Sequence, residues 1–88
     1  MKKREPEYQP VLVEWVDSAA YYRWRSPESY RKDALPSQCT SVGFLLLKDE
    51  KRVVIVQSRD GIDVAEALVI PRVCVKRIRY LYPKGGKW

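Results

Sequence analysis

Three features of this 88-residue sequence predict a mainly β chain curled into one small, partly open barrel of five strands. Five short runs rich in β-branched and aromatic residues are separated by turn signals. The two central runs are almost continuously apolar, as strands covered on both faces or wrapped round a small core tend to be. A proline-marked turn joins the last two runs, and with the central hairpin this describes a small partly open barrel.

The elements follow in order. Residues 1–10 hold two prolines and mixed charge with no periodicity, and read as a flexible N-terminal arm. Val11, Val13 and Trp15 then alternate onto one face of a first strand over 11–17. A long connection follows. Inside it, Ser26 as cap, Pro27 at the first helical position and Glu28 in the first turn start a short helix that Pro36 ends. So short a helix needs tertiary contacts to persist.

Residues 39–48 and 52–58 form a hairpin about the charged turn Lys48-Asp49-Glu50-Lys51, with Gly43 marking a bulge or sharp bend. Residues 67–71 make a fourth strand ended by Pro71. Arg72 to Val75 make one tight turn, and residues 76–81 make a fifth strand. The expected core contains Val13, Trp15, Phe44, Leu46, Val54, Val56, Leu68, Ile70 and Ile78. Residues 83–88 read as a flexible tail, leaving a single domain over 11–82. The pattern is that of an SH3-like or Sm-like barrel with one short helix in its first connection. A two-layer α+β sheet covered by that helix is the competing architecture.

Size and composition narrow the function classes. A domain this small buries only about 60–65% of the surface its unfolded chain exposes. Its core must come from the 45% of residues that are apolar, because two cysteines make no disulfide framework. A reduced, cytoplasmic setting is expected. The basic N-terminus lacks the apolar stretch of a signal peptide, and the longest apolar run, Phe44 to Leu47, is far too short for a membrane span. No membrane role is expected.

The net charge of +6 is unevenly spread. Residues 1–66 carry eleven acids and eleven Lys/Arg, while residues 67–88 carry six Lys/Arg and no acid. The excess points to an anionic partner or an acidic protein surface, or else to a solvated, solubilising tail.

Catalytic chemistry has little to stand on. The chain has no histidine, which removes the usual general base, the Ser-His and Cys-His nucleophile pairs and the commonest metal ligand. Cys39 and Cys74 lack metal-binding spacing and read as small buried hydrophobes. Asp49-Glu50 and Asp60/Asp63 sit in turns, where acids are ordinarily solvated. No glycine-rich phosphate loop is present. No catalytic residue, metal site or cofactor is expected.

A strand ending Val13-Glu14-Trp15-Val16-Asp17-Ser18, then Ser26-Pro27-Glu28, Ser41-Val42-Gly43-Phe44-Leu45-Leu46, Ile70-Pro71-Arg72 and Ile78 give the chain its likeness to a known group. It resembles a family of short hypothetical proteins of tailed bacteriophages and prophages, over roughly residues 11 to 81. The resemblance implies a bacterial cytoplasm during infection or lysogeny and a host-interaction or accessory role. It carries no site residues with it.

The segment Tyr21-Tyr22-Arg23-Trp24-Arg25, with Tyr30 and Arg31 beyond it, lies outside that pattern. Aromatics interleaved with arginines offer stacking faces for bases and charge for phosphates. Tyr, Trp and Arg are also the residues enriched at protein–protein hot spots. Two functions result: docking on a host or phage protein through this segment, or nucleic-acid binding through it together with Lys76, Arg77 and Arg79 of the last strand. Glu28 and Asp33 beside the segment favour the protein partner. A plainer alternative has Trp24 and one tyrosine covering an open end of the barrel. Edge-to-edge pairing between copies in an Sm-like ring is opposed at Pro71 and its neighbouring charges. The sequence leaves the oligomeric state open.

Overall fold

The computed structural model describes residues 8–82 as five antiparallel strands in one sheet, with one short α-helix and one 3-10 turn. The strands are β1 (Pro10–Asp17), β2 (Ser37–Lys48), β3 (Arg52–Arg59), β4 (Val64–Pro71) and β5 (Val75–Tyr80), and α1 is Pro27–Asp33. Their order across the sheet is β4-β3-β2-β1-β5. The flexible arm and tail expected at the chain ends lie outside the described residues, except for residues 8–10. Of these, Gln9 accepts a hydrogen bond at its carbonyl from the Leu45 N–H (2.8 Å), and Pro10 opens β1.

This order forces curvature. Strands pair about 4.8 Å apart, so a flat sheet would hold β4 and β5 about 19 Å from each other. The connection between them is only Arg72–Cys74, a 3-10 turn rising about 2 Å per residue. The sheet therefore coils until its two edges come round to the same turn, giving a mainly β, partly open barrel. The Arg72 N–H anchors that turn to the Lys51 carbonyl (2.9 Å).

Two local devices let the sheet bend. A register shift in β2 between Leu45 and Leu47 leaves Leu46 unpaired against β3, and another in the β1–β5 ladder falls between Glu14 and Trp15. Gly43 serves a different purpose. A β-carbon there would sit 2.9 Å from the Val56 carbonyl oxygen and 3.2 Å from Ile55 Cβ, so only glycine lets β3 come this close. Gly43→Ala is expected to cost about 1–3 kcal/mol through overpacking against backbone that cannot retreat. Urea denaturation measures it, and an unchanged midpoint would mean that β2 and β3 do not meet there.

The core lies inside the curl. Val11, Val13, Val53, Ile55 and Ile70 are fully buried, with Trp15, Leu45, Leu68, Cys74, Val75 and Ile78 packed against them. The Trp15 indole N–H donates to Ser41 Oγ (3.0 Å), satisfying the one polar atom of a mostly apolar ring.

Five of the nine expected core residues belong to this cluster: Val13, Trp15, Leu68, Ile70 and Ile78. Val54 and Val56 are buried as expected but lie outside it, and Phe44 and Leu46 are only half-buried. Leu45 pairs with Ile55 on the core side, so the neighbouring pair Phe44 and Val56 faces the opposite way. Val54 and Val56 are nonetheless buried, on the reverse face of β3. Alternation decides which face a residue occupies, and Phe44–Leu47 and Val53–Val56 show none. A shift of one residue in such a run flips every side chain at no cost to the pattern.

The short helix forms as the sequence predicts. Ser26 Oγ accepts from the Ser29 N–H (3.1 Å), Pro27 takes the first turn, and Ala34 has already turned extended ahead of Leu35 and Pro36. None of its residues is buried. The ladder of β1 with β2 runs on to Asp17 and Ser37, so everything from 18 to 36 leaves the barrel as an arm beyond the last rung.

Candidate binding arm and the basic last strand

The arm is held by its own side chains. The Tyr21 hydroxyl donates to the Leu35 carbonyl (2.9 Å) and accepts from the Leu35 N–H (3.2 Å), tying the outgoing limb of the arm to the returning one. The Tyr21 ring meets Tyr30 edge-on, with centroids 6.0 Å apart. The Tyr30 hydroxyl donates to the Arg23 carbonyl. Arg25 lies over the Tyr30 ring at 5.1 Å and pairs with Asp33 at 2.7 Å. The tertiary contacts that α1 requires thus come from Tyr21, Arg23 and Arg25.

These contacts divide the sequence-predicted site into two groups. Tyr21, Arg25 and Tyr30 brace the arm. Tyr22 and Trp24, between them in sequence, are the side chains the arm puts outside: Tyr22 is 92% exposed and Trp24 fully so. Trp24 therefore covers no end of the barrel. The side chains of Arg23, Arg31 and Lys32 are exposed and pair with no acid among the described residues. Two overlapping shallow concavities lie along the 21–25 stretch and share Tyr21, Tyr22, Arg23, Arg25 and Tyr30; Trp24 borders one of them.

The basic last strand is arranged differently. Arg77 and Arg79 both point at Glu14 Oε2, at 3.5 and 3.7 Å, because register sets Glu14 against Arg77 on the outer face. Among the described residues that oxygen accepts no hydrogen bond and is met by charge alone. Lys76 donates to Gln38 Oε1 (3.1 Å), close to where the arm leaves β2. All three cations are exposed, so these pairs contribute little to stability. They do reduce the positive potential along β5. Residues 8–82 carry twelve Lys/Arg and nine Asp/Glu, so +3 of the chain's +6 lies within them. No hydrogen bond, ion pair or ring contact among the described residues joins Tyr22 or Trp24 to β5. Of the three cations, Lys76 bonds a residue at the root of the arm.

Both free edges of the sheet are blunted. β5 carries Lys76, Arg77 and Arg79. β4 has Glu66 at φ 61° in its middle, a left-handed residue that breaks the flat extended edge, and ends in Pro71. Both are devices that oppose pairing with another strand. The turn acids are occupied by turn geometry. Asp49 accepts from the Lys51 and Arg52 N–H groups, and Asp60 from those of Asp63 and Ile62. The Lys51 and Asp63 N–H bonds are the leading cause holding the two carboxyls below their ordinary range.

One feature had no signal in the sequence. A cleft of about 230 Å³ is lined by Tyr8, Leu46, Arg59, Ile62, Asp63 and Val64, drawn from three separated segments. Beside it the Arg59 guanidinium stacks on the Phe44 ring at 4.9 Å.

Among the described residues no group of three or more His, Cys, Asp or Glu is placed to hold a metal ion, and no helix is long and apolar enough to cross a membrane. The chain matches no family model, no curated protein and no solved structure.

Proposed function

We propose that the chain is a non-enzymatic binding module that docks on another protein through its arm, with Tyr22 and Trp24 as anchors and Arg23 and Arg31 beside them. The observation that carries this reading is the exposure of both aromatics on an arm whose other aromatics lock it in shape. Exposed tryptophan stabilises nothing in the free chain, whereas a rigid aromatic anchor gives affinity at low entropic cost. The resemblance to tailed-phage and prophage proteins supports a host or phage protein as partner, and the bacterial cytoplasm as the place of action.

The alternative is a single-stranded nucleic acid stacked on Tyr22 and Trp24, with its phosphates on Lys76, Arg77 and Arg79. Its support is the interleaving of aromatics with arginines. Glu14 between two of those cations and Asp33 on Arg25 speak against it, since a phosphate-tracking strip works through unpaired charge.

The test is capture from bacterial lysate by the parent chain and by Tyr22→Ala/Trp24→Ala, with and without nuclease, followed by titration of what is captured. The expected result is a nuclease-resistant protein partner whose affinity falls by about 2 kcal/mol or more in the double variant, with the melting temperature unchanged. A variant that unfolds, or that binds as the parent does, contradicts the reading. Nuclease-sensitive capture with a steep salt dependence favours the alternative.

A further inference from the structure

The arm's backbone bears on the kind of protein surface it meets. From Ala19 to Arg25 the main chain makes one hydrogen bond among the described residues, the one Arg23 accepts from Tyr30. This stretch belongs to no helix or strand, yet side chains at 21, 25 and 30 hold it in place. It is an open main chain lined by two overlapping, shallow aromatic–arginine concavities. Concavities this shallow fit side chains projecting from a partner main chain better than they fit the knob of a folded domain, and unpaired N–H and C=O groups add main-chain bonding to an extended segment.

Charge narrows the partner further. Arg25 is spent on Asp33, which leaves Arg23, Arg31 and Lys32 unpaired on the arm against the single acid Glu28. Lys76, at the arm's root, adds to the same sign.

We propose that the arm recognises an extended acidic segment of another protein. The segment sets an aromatic or leucine side chain between Tyr22 and Trp24 and directs carboxylates to Arg23 and Arg31, where a guanidinium can take a carboxylate in two parallel hydrogen bonds. This rests on the protein-binding reading and adds the partner's chemistry: a linear segment, negatively charged, with one apolar anchor. The bracing residues keep the stretch open in the free chain, so the partner alone is ordered on binding.

The test sorts a surface-displayed library of random linear peptides against the full chain and against two variants, Tyr22→Ala/Trp24→Ala and Arg23→Glu/Arg31→Glu. Oligothymidylate is titrated in parallel. The expected result is enrichment of peptides with several Asp or Glu around one aromatic or leucine, each losing at least about tenfold in affinity to both variants. Circular dichroism of both variants, unchanged from the parent, keeps the loss assignable to the arm. Enrichment of neutral or basic peptides overturns the proposal, as does binding that survives the charge reversal. If no peptide is enriched while a lysate protein is still captured through Trp24, the arm binds a folded surface: the inference fails and the protein-binding reading stands. Oligothymidylate bound through Tyr22 and Trp24 overturns both.

Discussion

Ile55→Ala is expected to cost about 2–5 kcal/mol, a large share of the roughly 5–15 kcal/mol that holds a typical domain together. Ile55 is fully buried at the centre of the curl, paired with Leu45 on one side and Leu68 on the other, and it approaches the backbone at Gly43. Backbone packed this closely cannot collapse into the space a truncated side chain leaves, so the cavity penalty adds to the lost transfer energy. Phe44→Ala supplies the contrast. Phe44 is the larger side chain, but it lies on the reverse face, half-buried, with the Arg59 guanidinium over its ring. Its removal is expected to cost about 1–2 kcal/mol, in proportion to the area it covers. Urea denaturation of both variants settles the order. A greater loss at Phe44 than at Ile55 would mean that the two faces of the β2–β3 hairpin are interchanged.

That contrast also marks the limit of what the sequence discloses. Where polar residues interrupt a strand, the face can be read: Glu14 in the first strand, and Arg77 and Arg79 in the last, leave Val13, Trp15 and Ile78 on the inside as expected. Where four apolar residues run together, period two vanishes, and the face is set by a register that only the bulge at Leu46 and the close approach at Gly43 decide. Strand edges drift for a related reason. β4 begins at Val64, three residues before the expected start, because Val64 and Ala65 pair with Arg59 and Ser58 while Glu66 breaks the alternation with a left-handed backbone.

The arm was legible as composition and illegible as geometry. Five consecutive residues of Tyr, Arg and Trp draw attention to it, and the Ser26-Pro27 start predicts its helix. Which aromatics brace and which project depends on contacts made across the arm: Tyr21 with Leu35, Arg25 with Asp33, and the Tyr30 hydroxyl with the Arg23 carbonyl. Nothing in the local pattern distinguishes Tyr21 from Tyr22. Charge was similarly only half readable. The acid-free last quarter stands out at once, but Glu14, sixty-odd positions upstream, reaches Arg77 and Arg79 only through the β1–β5 ladder.

On the proposed function, folding and binding reside in separate parts of this chain, the first in the barrel and the second in the arm. Excision tests it most directly. β1 and β2 pair as far as Asp17 and Ser37, and no residue between them is buried, so residues 18–36 can be replaced by Asn-Gly, the pair preferred in a two-residue hairpin turn. Closing the hairpin with so short a loop removes chain entropy from the unfolded state, worth up to about 2 kcal/mol. The shortened chain is therefore expected to melt at or above the parent's temperature, with its strand-type circular dichroism intact. It is also expected to lose all binding to the partner captured by the full chain. A shortened chain that fails to fold, or one that folds and still binds that partner, would contradict the account.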